Sequence, residues 1–132
     1  MTTRTARCEC GALTIACEGE PVRRSVCHCR SCQRRTGSAF ALCATWPEAQ
    51  VRVAGESRMF ERLGEEGHWG RSHFCTNCGT TLFWRIERSP GMVYVAVGGF
   101  ADPAFPEPEV AVYGELAPPW LKFETAVPMR RQ

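Results

Sequence analysis

Nine cysteines stand in this 132-residue chain, and seven of them fall into three groups whose spacing suits a metal. Cys8-Glu9-Cys10-Gly11 places two thiols two residues apart. At a strand edge such residues point to the same side, so both sulfurs can reach one ion. Cys75-Thr76-Asn77-Cys78-Gly79 has the spacing of a zinc knuckle, in which two intervening residues turn the backbone so that the thiolates converge. Gly79 allows the positive φ that often follows such a turn. Cys8, Cys10, Cys75 and Cys78 together make four thiolates, a complete tetrahedron with no open position. A closed zinc site of this kind is structural, and it would tie the first strand to the middle of the chain. Disulfides within these pairs are disfavoured because residues so close in sequence do not easily reach bridging geometry.

Cys27-His28-Cys29-Arg30-Ser31-Cys32 is different, because it offers three thiols in one tight segment. Three protein ligands and an exchangeable fourth position form the arrangement of a catalytic zinc. A dication on three thiolates keeps one net negative charge. Such a site generates hydroxide poorly and suits a soft sulfur ligand that stays nucleophilic. The competing expectation is a second structural site completed by His28, Cys43 or Cys17. His28, between two ligands on a strand, would point away from them. Cys17 and Cys43 lie in apolar runs and read as buried free thiols. An iron–sulfur cluster is a further alternative, although nothing else in the chain suggests redox work.

Arg34 and Arg35 follow the third thiol directly, with Gly37 and Ser38 just beyond. Beside a metal, the two arginines could clamp carboxylates of a peptide-like substrate, and Ser38 could bring the backbone back near the ion. An exposed basic pair fits the same residues equally well. Trp46, Trp69, Phe74, Trp84 and Trp120 are expected in the core or a pocket wall. His68 and His73 are expected as surface or satisfied side chains, and Asp102 as a turn-former before Pro103.

The elements that must position these groups are mostly strands. Residues 13–17, 39–43, 50–53, 81–86 and 92–97 are short runs rich in β-branched and aromatic side chains, separated by Gly and Pro turn signals. Residues 29–35 are the one helical stretch, and the three prolines between Asp102 and Glu109 predict an extended loop. The expectation is one mainly-β domain over residues 1–132, with small antiparallel sheets, long loops and a short helical turn. Hydrophobic residues make up 44% and charged residues 23%, as in ordinary globular domains. A formal charge of +2 gives no field for nucleic acid or an anionic membrane, so neither is expected as a partner. Residues 1–8 lack the apolar core of a secretory signal, which makes a cytoplasmic location the expectation. In a reducing compartment an odd, high cysteine count points to zinc rather than to disulfides.

The ordered set Cys8-x-Cys10-Gly11, Cys27-His28-Cys29-x-x-Cys32 with Arg34-Arg35-x-Gly37, Phe74-Cys75-x-x-Cys78-Gly79, Gly98-Gly99-Phe100-Ala101-Asp102-Pro103 and Pro119-Trp120 resembles the glutathione-dependent formaldehyde-activating enzyme family, which also includes centromere protein V. The resemblance covers nearly the whole chain. It implies a β-tent fold of stacked small antiparallel sheets and two Zn(2+) per chain, a structural one on the outer four cysteines and a catalytic one on Cys27, Cys29 and Cys32. It also implies a carbon–sulfur lyase that joins a small-molecule thiol, glutathione in the namesake, to formaldehyde. Two alternatives stand beside this expectation. One is a non-catalytic zinc module for macromolecular interaction. The other is methionine sulfoxide reduction, for which Cys43 is the candidate nucleophile.

Overall fold

The computed structural model describes residues 2–64, 66–123 and 128–130. Two hydrogen-bonded sheets account for most of it. β1 (Thr3–Arg7), β2 (Thr14–Glu18) and β5 (Val51–Ala54) form a three-stranded antiparallel sheet in the order β1-β2-β5. The larger sheet has eight strands: β3 (Arg23–Cys27), β4 (Ala41–Pro47), β6 (Ser57–Leu63), β7 (Trp69–Cys75), β8 (Thr81–Ile86), β9 (Met92–Ala96), β10 (Val110–Val112) and β11 (Met129–Arg130). Their order is β11-β10-β3-β4-β9-β8-β7-β6, and pairing is antiparallel except where β10 joins β3 and β11. The single α-helix among the described residues, α1 (Arg30–Thr36), leaves β3 through the segment that carries the triad. The chain is therefore mainly β, and no closed barrel forms among the described residues, in keeping with the β-tent expectation.

Alternation explains how the sheets meet. In β2, Ile15 and Cys17 point inward while their neighbours stay partly exposed. They join Ala6 and Leu13 against Ala44, Trp46, Phe83, Val93 and Val95 of the larger sheet, closing one dry core between the sheets. Trp46, fully buried, satisfies its indole N–H on the Gly19 carbonyl at 3.0 Å. β4 runs centrally and is buried on both faces. On the face away from that core, Cys43 packs with Trp84 and Tyr94. The sequence expectation of buried thiols at Cys17 and Cys43 is met.

β2, β4, β5, β8 and β9 fall close to the strands expected from composition. β1, β3, β6 and β7 carry arginines and other polar residues along much of their length, so composition alone did not mark them. They are strands because cross-strand pairing, not propensity, decides them. Residues 103–109 hold no strand or helix, as three prolines require. Trp120 departs from expectation: it is 75% exposed rather than core or pocket wall, because it follows Pro118-Pro119 in a turn lying off the sheets.

Candidate metal centres

The outer centre is built by two tight turns. After β1, the Cys8 N–H donates to the Leu13 carbonyl and the Gly11 N–H to the Cys8 carbonyl, with Gly11 at φ +84°. Between β7 and β8, the Gly79 N–H donates to the Cys75 carbonyl at 2.9 Å, with Gly79 at φ +81° as the knuckle requires. Cys8, Cys10, Cys75 and Cys78 consequently bring their sulfurs within 4.8 Å of one another. Cys8–Cys10 and Cys10–Cys75 are each separated by 3.7 Å. Tetrahedral zinc with Zn–S bonds of about 2.3 Å demands sulfurs roughly 3.7–3.8 Å apart. The donor set and its spacing therefore fit zinc.

Backbone amides prepare these sulfurs for negative charge. The Leu13 N–H donates to Cys8 Sγ at 3.2 Å and the Asn77 N–H to Cys75 Sγ at 3.4 Å. Thr80 adds a hydroxyl 3.3 Å from Cys78 Sγ, and the same oxygen accepts the Glu9 N–H across the centre. That hydroxyl is the largest influence pulling the Cys78 thiol down to about 5, helped by backbone amides. Sequence reasoning missed Thr80, although its place directly after the Cys-x-x-Cys-Gly turn was a usable signal.

The inner centre forms where β3 ends and α1 begins. Cys27, Cys29 and Cys32 bring their sulfurs within 4.8 Å of one another. Cys29 occupies the N-cap of α1 with extended backbone, and its sulfur accepts the Cys32 N–H at 3.3 Å. Gly37, left-handed at φ 71°, ends the helix and turns the chain toward β4. Hydrogen bonds from the Cys27 and Cys32 thiols pull Cys29 down to about 2 against its burial. The Cys32 amide and the charge of Arg62, on β6, push in the same direction. Cys27 moves the opposite way, raised by its hydrogen bonds to Cys29 and Cys32 and by burial. For Cys32 the bond to Cys27 lowers the pKa, but Cys29 and burial outweigh it and bring it to about 11. One thiolate shared by two thiols is the chemistry of a site waiting for a soft cation.

No fourth ligand joins this triad among the described residues. His28 is buried on the other side of the chain, edge-on to Phe40 and Phe123 with ring centroids 6.2 Å away in each case. Cys17 belongs to the core between the sheets. Cys43 pairs across the strands with Ser25, its sulfur 3.0 Å from the Ser25 hydroxyl. The three-thiol arrangement thus offers three ligands, and no described residue supplies a fourth.

Arg35 lies beside the triad, as sequence spacing suggested. Its guanidinium stacks on Trp84, 3.9 Å from the ring centroid, and Nη2 points at Cys32 Sγ from 3.8 Å. Trp84, expected in the core or a pocket wall, is buried and lines a cavity, and only its hold on Arg35 went unassigned from sequence. Arg34 is exposed. Ser38 is exposed too, and it borders a cavity of about 580 Å³ shared with Arg30, Gln33, Glu115 and Pro118. A second cavity, about 490 Å³, is lined by Arg35, Ala41, Trp84 and Ala96 together with Gly79 and Thr80. Asp102 accepts the Ala104 N–H at 2.9 Å, the turn role expected of it. His73 bonds Ser57 and stacks on Phe83, and His68 sits near Glu66 and Glu87 at the surface, so neither is a ligand.

Residues 3–115 match the family model of the glutathione-dependent formaldehyde-activating enzyme. The chain belongs to this family. Fungal relatives provisionally named glutathione-dependent formaldehyde-activating enzymes are similar to it at modest identity. One from Fusarium vanettenii is 25% identical over 112 residues, covering 81% of this chain and 60% of that protein. One from Aspergillus flavus is 30% identical over 80 residues, covering 61% of this chain and 41% of that protein. The chain thus spans roughly half the length of the curated relatives it matches. A crystal structure of a Rhodobacter sphaeroides protein shares the fold, with a TM-score of 0.55 and 23% identity over 72% of this chain and 85% of the other.

Proposed function

We propose that this family member is a two-zinc protein whose inner centre presents a small-molecule thiol, glutathione in the first instance, to a small aldehyde such as formaldehyde. The observation carrying the proposal is the set of three converging sulfurs on Cys27, Cys29 and Cys32 with no fourth protein ligand among the described residues. Zinc held there would supply a soft Lewis-acidic position with one exchangeable place. Everything else falls to the protein. Cys29 carries negative charge before the others. Arg35, pinned on Trp84, sets a positive charge against Cys32.

In the reaction, the substrate sulfur bonds to the carbonyl carbon, the C=O π bond breaks, and the oxygen takes a proton to give the S-hydroxymethyl adduct. The chain's contribution is to keep the thiolate and aldehyde together in a partly enclosed space, which replaces an encounter in solution with a positioned one. The outer centre, closed by four sulfurs, holds the structure and takes no part in the chemistry.

Calorimetry of the zinc-loaded protein with glutathione tests this reading. Saturable heat is expected, lost in Cys32→Ser, with formaldehyde-dependent adduct seen by NMR. A non-catalytic zinc module would bind two ions yet give neither heat nor adduct. That result would overturn the proposal.

A further inference from the structure

Arg23 opens β3 on the same face of the sheet as Ser25 and Cys27, since residues two apart share a side. Its guanidinium atoms Nε and Nη2 are shielded from solvent and have no hydrogen-bond partner, and no ion pair involves Arg23 among the described residues. Directly across the strands lies Thr45, which is 3% exposed and whose hydroxyl is likewise without a partner. Two residues at paired positions on one face therefore keep sheltered polar atoms without a partner. Buried donors left unmade are costly, so a site of this kind calls for an acceptor.

The edge of the guanidinium that is left open identifies the acceptor. Nε–H and Nη2–H lie parallel in the guanidinium plane along one edge, the fork that receives the two oxygens of a carboxylate. The same molecule shows this pairing elsewhere: Arg85 donates from Nε and Nη2 to the two oxygens of Glu48 at 2.8 and 2.7 Å. At Arg23 the fork is present and the carboxylate is missing. A second cation lies on the same face, because Arg35 sits on Trp84, Trp84 pairs with Tyr94, and Tyr94 pairs with Thr45. No Asp or Glu pairs with either arginine among the described residues. The cavity of about 490 Å³ opens farther along the same face, where Ala41 and Ala96 line it near the Cys27 end of β3.

The geometry points to a carboxylate-binding site on this face, with the Arg23 Nε/Nη2 edge as the receptor and the Thr45 hydroxyl as a third donor. Its ligand is a small molecule bearing a carboxylate, either the thiol substrate itself or a separate organic acid. In the first case the site anchors the far end of a molecule whose sulfur lies at the inner triad, a case that rests on the function proposed above. The site itself does not depend on it.

Acetate, which has no sulfur, is the probe that separates the two questions. Zinc-loaded protein labelled with ¹⁵N-arginine would be titrated with sodium acetate at constant ionic strength held by chloride, following the arginine Nε–H signals. One Nε–H signal, absent in Arg23→Gln, should shift saturably, and Thr45→Val should weaken acetate several-fold while leaving two zincs per chain. Glutathione added to the wild type then assigns the source. If it moves the same signal and binds roughly tenfold or more weakly to Arg23→Gln, the carboxylate belongs to the thiol substrate. If acetate saturates and glutathione leaves the signal unmoved, the ligand is a separate acid. No saturable response of that signal to acetate, or an acetate affinity in Thr45→Val equal to that of the wild type, overturns the site. Should Arg23→Gln fail to fold, Thr45→Val with the wild-type signal decides the matter.

Discussion

Within the inner triad the three thiols are not equivalent, and the difference has measurable consequences. Cys29 is ionised well below neutrality, whereas Cys32 is held to about 11 and Cys27 is raised as well. At pH 7 the metal-free triad carries one negative charge and two protons, and metal uptake must displace both. The unbound form holds more protons, so affinity rises with pH. Competition titrations between pH 6 and 8 should show the inner-site binding constant increasing by about two log units per pH unit; a flat profile would contradict the assignment. Cys17, pushed up to about 12 by burial, and Cys43, also raised by burial, stay as thiols in the same range. Neither should react with an alkylating reagent at pH 8 while the protein is folded, as mass spectrometry would show. Arg35 acts through its place on Trp84. Trp84→Leu removes a cation–π contact of about 0.5–2 kcal/mol. It should weaken inner-site zinc several-fold and leave the outer site unchanged in the same titration.

At the scale of elements, the turns set where the sulfurs go. Gly55 links β5 to β6 at φ +96°, and a Cβ there would lie 1.9 Å from the Ala12 carbonyl oxygen, in the loop that follows Cys10. The left-handed backbone alone costs a substituted residue about 1–2 kcal/mol, and the collision with backbone adds more. Gly55→Ala should therefore lower the melting temperature clearly and loosen the outer zinc, detectable as faster transfer to a chelator. Thr80 braces the other half of that centre. Thr80→Val removes the hydroxyl that pulls Cys78 down, so its pKa rises toward the ordinary thiol value. A thiol whose folded pKa is depressed stabilises the fold above the unfolded value near 9 and loses that contribution as pH falls through about 5. Acid release of outer-site zinc, followed with a chromophoric chelator, should accordingly begin at higher pH in Thr80→Val than in the wild type. Short α1 owes its position to the same logic, capped by a cysteine at one end and by Gly37 at the other.

For the molecule as a whole, the outer centre joins the end of β1 in the small sheet to the β7–β8 turn in the large one. Structural zinc contributes on the order of 10–16 kcal/mol in small domains, comparable to or above the whole stability of a domain this size. Cys75→Ala should then give a chain without cooperative unfolding. Cys32→Ala should keep near-wild-type circular dichroism and one zinc per chain while losing thiol binding. Equal loss of fold in both variants would mean that the inner centre is structural too.

The sequence by itself determined which thiols could share a metal ion. Spacing of two or three residues fixes which thiols can meet within one turn, a local property that any backbone conformation must respect. It also determined the mainly-β character and the strands rich in β-branched residues, such as β8 and β9. Beyond the union of the two outer cysteine pairs, partners far apart in the chain were out of its reach. Polar strands such as β3 and β6 are visible only through the neighbours they pair with. Tertiary structure alone decided that Cys43 pairs with Ser25, that Trp84 carries Arg35, and that Arg23 and Thr45 stand at paired positions with polar atoms left without partners. Each of those contacts crosses between strands or from helix to sheet, and register between elements is set by how the whole core closes rather than by any short stretch of residues.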